Sequence, residues 1–237
     1  MPDGAHPRIL GLDTSTEACS AALHADGRVV AQRFEQRERG HAERIVPLVL
    51  ELLAEAAIGF DSLDAIAVTT GPGSFTGVRI GLATARGFTL ASQLPLIGIG
   101  TLEVIAAGVP AVERAGKVTI ATIAALPGQV YAQAFDEQLV PLAPAAACTF
   151  VEVVALAGDR PALLVGTSAD EILAAGSAPQ IARAKILPWP QAGALVAHVA
   201  QLIGNRGVTA LAVEPATPLY IKAPGLGPAG TRVSSRS

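Results

Sequence analysis

The residues best placed for chemistry form a glycine-rich loop at residues 71–77, with the sequence Gly-Pro-Gly-Ser-Phe-Thr-Gly. The loop follows a predicted strand and precedes a predicted helix, so its backbone amides and the helix N-terminus could hold an anion such as a phosphate. A phosphate-binding P-loop would end in Gly-Lys followed by Ser or Thr, and this loop contains no lysine. Gly73 and Ser74 are therefore nucleotide-binding candidates, and the alternative is a tight turn in which Ser74 caps the helix.

A second cluster, Asp13-Thr14-Ser15-Thr16, ends the first predicted strand. A carboxylate there could position a metal-bound phosphate or a water molecule, with Ser15 and Thr16 beside it. Asp is equally suited to closing a turn through hydrogen bonds to its own backbone. The four histidines lack the three- or four-residue spacing of a helix-borne metal site, and no Gly-x-Ser-x-Gly element is present. Neither a metal site nor a nucleophile triad is predicted.

The elements that must position these clusters alternate in a regular order. Residues 26 and 27, Asp-Gly, indicate a hairpin between two strands. The predicted elements are strands at 8–13, 19–25, 29–34, 63–70 and 96–100, and helices at 44–57, 74–91 and 101–107. The first hundred residues thus read β-β-β-α-β-α-β-α, an α/β fold whose mixed sheet has a hairpin at one edge.

The second half weakly echoes the first, with a predicted linker at 110–116 and another hairpin at 118–124 and 129–135. Further helices are predicted at 149–156, 169–175 and 192–205, and strands at 162–165 and 180–187. We expect a first lobe at 1–109, a smaller second lobe at 110–222, and a Gly-, Pro- and Ser-rich disordered tail at 223–237.

The helix at 74–91 carries small residues every fourth position, at Gly77, Gly81 and Ala85. One face is therefore nearly bare backbone, and its other faces are also apolar, with Val78 and Leu82 among them. A helix that is apolar nearly all round is buried nearly all round. Since a sheet covers only one side, a neighbouring helix, and in part another chain, is expected to cover the rest. Packing within this chain alone is an equal alternative.

Composition narrows the possible functions. The 237 residues are 51% hydrophobic and 16% charged, and 17 basic against 20 acidic residues give a net charge of −3. This balance lacks the basic surface of a protein that grips nucleic acid by itself. No uninterrupted apolar stretch of about 20 residues and no secretory signal are visible, so we expect a cytoplasmic protein with no membrane span. The apolar excess predicts sheets covered on both faces or a large surface buried against another chain.

Two stretches resemble the TsaB family. The first is residues 9–16, Ile-Leu-Gly-Leu-Asp-Thr-Ser-Thr, followed by Ala-Cys-Ser at 18–20. The second and more specific is residues 66–81, Ile-Ala-Val-Thr-Thr-Gly-Pro-Gly-Ser-Phe-Thr-Gly-Val-Arg-Ile-Gly. His41 with Pro47, and Pro-Leu-Tyr-Ile-Lys at 218–222, also match family positions. The resemblance covers residues 8–107 well and the rest loosely.

The resemblance implies two actin-like, ribonuclease-H-like lobes and a partner subunit of TsaD, in the pathway that adds threonylcarbamoyl to the adenosine beside the tRNA anticodon. It also implies that TsaD does the chemistry. In this chain Ser15 replaces a phosphate-loop glycine, Thr101 and Ile105 replace two metal-binding histidines, and Ala-Ala-Leu at 124–126 replaces Asp-Ala-Arg. No cofactor is expected on this chain alone, with nucleotide and metal on TsaD and on the ATPase TsaE.

The resemblance further implies that helices 44–57 and 74–91 pack against the same helix pair of TsaD. TsaE would join the pair, tRNA would bind through the complex, and the chain alone would form a homodimer. The expected interface consists of Gly77, Gly81 and Ala85 for close approach, Phe75, Val78 and Leu82 for buried area, and His41, Arg44 and Arg79 at the rim. Two alternatives stay open: a nucleotide-dependent transferase or hydrolase using Asp13 and residues 71–77, and a stand-alone homodimeric binding module.

Overall fold

The computed structural model of the chain describes residues 6–176, 178–212 and 216–221. These residues fold around two five-stranded mixed sheets. The predicted tail at 223–237 lies outside these residues, as does the last residue of the 218–222 motif. Within the described part of the chain, no helix is both long and apolar enough to cross a membrane.

The first sheet has the strand order β3-β2-β1-β4-β5. Its strands are β1 (Ile9–Thr16), β2 (Ala18–Ala25), β3 (Arg28–Gln36), β4 (Ala65–Thr69) and β5 (Leu96–Ile99). Strand β1 pairs antiparallel with β2 and parallel with β4. Asp26 and Gly27 both have positive φ, at 52° and 75°, which is the backbone conformation of a two-residue hairpin turn. The predicted hairpin and mixed sheet are confirmed.

The second sheet repeats this topology in the order β8-β7-β6-β9-β10. Its strands are β6 (Val118–Ala124), β7 (Gln129–Phe135), β8 (Ala146–Thr149), β9 (Ala162–Gly166) and β10 (Ile181–Arg183). The central strand β6 again pairs antiparallel with the next strand and parallel with β9. Strand β8 was not expected, because Ala-Ala-Cys-Thr carries no clear alternation, and the strand predicted at 180–187 shrinks to three residues.

The helices connect these strands in the predicted order over the first hundred residues. They are α1 (His41–Ala56), α2 (Phe75–Ser92), α3 (Thr101–Ala107), α4 (Ala111–Arg114), α5 (Phe150–Ala155), α6 (Ala169–Ala175), α7 (Ala192–Arg206) and α8 (Val208–Leu211). Helices α1 and α2 pack side by side on one face of the first sheet, in a core that includes Leu12, Ile45 and Val68. The predicted linker at 110–116 contains the short helix α4.

The two halves exchange helices. Helix α7 comes from the second half but packs on the other face of the first sheet, where Leu195 and Val196 meet Ile9. Helix α3 comes from the first half but packs on the second sheet, where Leu102 meets Ala121 and Val165. Nε2 of His198 on α7 lies 2.7 Å from Oε1 of Glu103 on α3. The chain passes from the first sheet to the second between β5 and β6. Helices α3 and α7 nevertheless pack on the sheet of the opposite half, so their contacts cross the boundary expected at residue 110.

Candidate functional site

A cleft of about 750 Å³ opens where the ends of β1, α1 and α2 face the β6–β7 hairpin of the second half. It brings together four of the five nucleotide-binding candidates, Ser15, Thr16, Gly73 and Ser74. The opposite wall is made by Ile123, Ala124, Ala125, Tyr131 and Thr167, with Trp189 alongside. Asp13 does not line this cleft.

The glycine-rich loop packs tightly on the end of β1. The backbone amide of Ser74 donates to the carbonyl oxygen of Ser15 at 2.7 Å. A Cβ atom at Gly73 would collide with that same oxygen, so glycine is required there. The Ser74 side chain accepts from the amide of Gly77 at 3.3 Å and caps α2. The tight-turn interpretation, with Ser74 as the helix cap, is confirmed.

Asp13 is fully buried beneath the floor of the cleft. Its Oδ1 accepts hydrogen bonds from the hydroxyls of Ser15 and Thr69, both at 2.6 Å, and from the Ser15 amide at 3.2 Å. Its Oδ2 has no hydrogen-bond partner among the described residues. Burial raises the pKa of Asp13 to about 6, and the hydrogen bonds from Ser15 and Thr69 lower it in part. Ser15 therefore hydrogen-bonds one oxygen of this carboxyl group and separates the group from the cleft.

A magnesium nucleotide, which the enzyme alternative would require, fits this cleft poorly. Glu17, Glu38 and Glu43 line the cleft beside a single arginine, Arg39, so the local charge opposes a polyphosphate. Across the described residues, no three His, Cys, Asp or Glu side chains come together as metal ligands. At one of the two positions compared with metal-binding histidines, the Thr101 hydroxyl accepts from the Gly71 amide at 3.1 Å. At the other, Ile105 is buried in the core of the second sheet.

The stripe of small residues on α2 faces this chain's own first sheet, which corrects the expectation that it receives another subunit. A Cβ atom at Gly77 would collide with the carbonyl oxygen of Thr14, and one at Gly81 would lie 2.7 Å from the Thr14 hydroxyl. Ala85 is fully buried, and the expected contact residues Val78 and Leu82 lie in the same core. The small residues therefore allow α2 to lie directly across β1 and β4 of the same chain.

The two predicted rim residues on α1 are also engaged within the chain. His41 is almost fully buried in the cleft wall, and its Nε2 lies 3.0 Å from the carbonyl oxygen of Thr16. Arg44 is half-buried on the flank of α1, where its guanidinium bonds Glu35 at 2.8 Å and Glu51 at 2.6 Å. Neither side chain belongs to the solvent-facing side of α1.

A different surface of the same two helices is open to solvent. We call it the outer face, and it consists of Val46, Pro47, Leu50 and Ala54 on α1 and Ala83, Gly87 and Leu90 on α2, with Ile80 half-buried at its edge beside the cleft. Leu50 is 53% exposed and Leu90 is 85% exposed. A Cβ atom at Gly87 would meet no described atom within 4 Å. Sequence reasoning missed this face, although the apolar spacing at 46, 50 and 54 is a helical signal on the side opposite the core.

The remaining two expected interface residues, Phe75 and Arg79, are exposed beside the outer face and contact the chain's last described segment. The guanidinium carbon of Arg79 lies 3.6 Å from the centre of the Phe75 ring. Its Nε donates to the hydroxyl of Tyr220 at 2.9 Å. Tyr220 lies in the 218–222 motif and was not expected to contribute to a site.

Two mixed sheets with the same strand order, a cleft between them and helices exchanged across it define a protein of the actin-like ATPase fold. The activator of 2-hydroxyisocaproyl-CoA dehydratase from Clostridium difficile shares this fold, with a TM-score of 0.50 at 11% identity over 84% of this chain and 96% of that one. A likeness this distant identifies the fold alone.

Closer matches identify the family. The family model described as "TsaD: tRNA N6-adenosine threonylcarbamoyltransferase" matches residues 29–209. YeaZ from Pseudomonas aeruginosa is 31% identical, with a TM-score of 0.78 over 91% of this chain and all of that one. The tRNA threonylcarbamoyladenosine biosynthesis protein TsaB of Escherichia coli is 46% identical over 124 residues, 52% of this chain and 53% of that protein. The match spans about half the length of such curated relatives. The chain belongs to the TsaB/YeaZ family, as its two motifs predicted.

Proposed function

We propose that this chain is a partner subunit of a TsaD-type transferase in tRNA threonylcarbamoyladenosine biosynthesis. It docks through its outer face and holds the transferase in an active arrangement. Family membership supports the pathway, because relatives in the family carry that role in their names. The exposed outer face is the single observation that carries the docking mode.

The outer face has the composition of an interface. Its residues are uncharged and form adjacent rows on two neighbouring helices. Exposed contiguous apolar patches of this kind mark interaction sites on soluble proteins. The charges flank it asymmetrically, because α1 carries Glu43, Glu51 and Glu55 with one arginine, Arg44, whereas α2 carries Arg79 and Arg86 and no acidic residue.

A TsaD-type subunit is the partner that this pattern favours. The TsaD family model matches this chain across α1 and α2, so such a transferase would present a helix pair of related build. Two similar pairs related by an approximate twofold axis would place α1 of one chain against α2 of the other and form a four-helix contact. That arrangement would place the side of this chain's α1 that carries Glu43, Glu51 and Glu55 opposite the partner's α2.

In this proposal the transferase supplies the chemistry. The cleft of this chain supports that division, because Asp13 is sealed below Ser15 and carboxylates line the opening. The ATPase TsaE would join the pair in the cytoplasm, and tRNA would bind through the complex. In the absence of the transferase, a second copy of this chain would occupy the outer face.

Leu50→Asp tests the proposal, since it places a charge at the middle of the outer face without disturbing the core. We expect the affinity of the full chain for the purified TsaD-type transferase of the same organism to fall at least tenfold. Calorimetric titration measures it, and threonylcarbamoylation of a tRNA transcript by the mixture should fall in parallel. Val151→Asp is the matched control, because Val151 is an 80% exposed residue on α5, the second half's counterpart of α1.

Unchanged affinity of Leu50→Asp would exclude the outer face as the docking surface. A chain that modified tRNA or hydrolysed a nucleotide without the transferase, and lost that activity on Asp13→Ala, would instead establish the enzyme alternative.

A further inference from the structure

We infer that Arg79, clamped between Phe75 and Tyr220, is the receptor for a carboxylate on the docked transferase subunit, an inference that rests on the proposed function. Arg79 lies on α2, one helical turn from Ala83 of the outer face, so the clamp adjoins the proposed docking surface. Phe75 and Tyr220 are 56% and 53% exposed, which leaves the clamp accessible from solvent.

The guanidinium of Arg79 is already held on one face and one edge. Its carbon atom stacks on the Phe75 ring at 3.6 Å from the ring centre, and its Nε donates to the Tyr220 hydroxyl at 2.9 Å. The two rings are themselves in contact, with centroids 5.5 Å apart. Immobilising a long side chain on binding is costly, and here part of that cost is met before any partner arrives.

The clamp is anchored by the main chain of the segment that carries Tyr220. The Leu219 amide donates to the carbonyl oxygen of Thr70 at 2.7 Å. Arg86 donates to the carbonyl oxygen of Ala216 at 2.7 Å, and the Ala216 side chain is buried against the first sheet. Tyr220 is therefore a positioning residue, because it orients the guanidinium through a segment fixed at two points.

Arg79 lacks, among the described residues, the anionic partner that three other arginines of the first half possess. Arg33, Arg37 and Arg44 each pair with a glutamate, whereas Arg79 forms no ion pair with any residue that the structure describes. Its two Nη groups make no hydrogen bond within that same part of the chain. A guanidinium held in this way offers two parallel donors, which match the two oxygens of a carboxylate.

A carboxylate from a protein partner suits the surroundings better than a phosphate of RNA. The chain carries a net charge of −3, so it lacks the extended basic surface that a nucleic-acid backbone requires. Arginine and aromatic residues beside an apolar, uncharged patch are typical of protein interfaces. The receptor therefore selects an acidic side chain or a C-terminal carboxylate at the edge of the transferase's docking surface.

Titration of full-chain variants with the purified transferase tests the inference. Arg79→Ala should raise the dissociation constant about tenfold. Arg79→Lys should behave similarly, because lysine keeps the charge but loses the paired donors. Tyr220→Phe removes only the positioning hydrogen bond and should raise the constant about threefold. Arg183→Ala, at a half-buried arginine of the second half that pairs with Asp170, is the matched control and should bind like the wild type.

A pair of charge-reversal substitutions, one in each subunit, identifies the carboxylate on the transferase. Arg79→Glu should abolish binding, and replacing one acidic residue of the transferase with arginine should restore it. If Leu50→Asp weakens binding while all Arg79 variants bind like the wild type, the inference fails and the proposed function stands. If neither position matters, both fail. If Arg79→Ala leaves the subunits' affinity unchanged but weakens binding of tRNA in a mobility-shift assay, the receptor takes phosphate and the inference is overturned.

Discussion

Gly77→Ala should lower the melting temperature of the chain by about 4–8 °C, since about 2 kcal/mol of net stability would be lost and each kcal/mol corresponds to roughly 2–4 °C for a chain of this size. The added methyl group would collide with the Thr14 carbonyl oxygen, which belongs to the backbone of the central strand β1. A backbone atom in the middle of a sheet cannot turn aside as a flexible side chain can. The helix or the strand must move, and the hydrogen bond from the Thr14 hydroxyl to the Gly77 carbonyl oxygen, 2.7 Å long, would be disturbed.

Gly87→Ala is the matched control on the same helix. No described atom lies within 4 Å of the new Cβ position, and Gly87 is exposed. Alanine favours a helix over glycine by about 1 kcal/mol, so this variant should melt roughly 2–4 °C above the wild type. Differential scanning calorimetry measures both. Equal melting temperatures for the two alanine variants would show that α2 does not lie against β1 as described.

Asp13→Asn should remove the loss of stability that Asp13 contributes as the pH rises from about 4 to about 6. Burial raises the pKa of Asp13 from its ordinary 3.8 to about 6. Between those values the folded chain holds a proton that the unfolded chain has released, so rising pH favours unfolding. The contribution is fully present below pH 3.8 and is lost above about pH 6. Asparagine has no proton to lose, and its amide oxygen can still accept from Ser15 and Thr69.

Urea unfolding at pH 4.5 and pH 7.5 measures this difference. We expect the free energy of unfolding of Asp13→Asn, relative to the wild type, to increase by about 2 kcal/mol between these two pH values. The amide nitrogen would lack an acceptor where Oδ2 now lies, which shifts the asparagine curve by an amount independent of pH. Asp159→Asn, at an exposed position, is the control and should run parallel to the wild type. A parallel curve for Asp13→Asn would contradict the raised pKa of this buried carboxyl group.

The sequence predicted the first half of the fold closely because its signals are strong there. The Asp26-Gly27 turn, the apolar face of α1 and the buried run before Gly71 each correspond to an element in the structure. The second half was harder to predict, since its strands β8 and β10 contain four and three residues. Elements this short are formed through tertiary contacts rather than through their own periodicity.

Periodicity could not predict which surface the stripe of small residues on α2 packs against. The spacing of Gly77, Gly81 and Ala85 correctly indicated close approach by another backbone, but it does not say which one. A strand of the same chain supplies that backbone. The solvent-facing residues Ala83 and Gly87 follow the same small-residue pattern on the opposite side of the helix, so composition alone cannot separate the two faces.

Only part of the candidate site could be predicted, because local sequence patterns do not encode contacts between distant residues. Ser15, Thr16, Gly73 and Ser74 meet in the cleft because they lie at the ends of β1 and β4, as parallel neighbouring strands require. Asp13 precedes Ser15 by two residues and lies below it. The contact of Arg79 with Tyr220 joins residues 141 positions apart, and no local pattern encodes it.

The exchange of α3 and α7 has a consequence for how the protein is made. While the ribosome synthesises the first half, one face of the first sheet can be covered by α1 and α2, but the apolar residues Ile9, Ala65 and Ala67 on the other face await α7. That helix is translated only at residues 192–206. The nascent chain therefore carries an unprotected apolar sheet surface for most of its synthesis, and completion of the first half depends on α7, which emerges late.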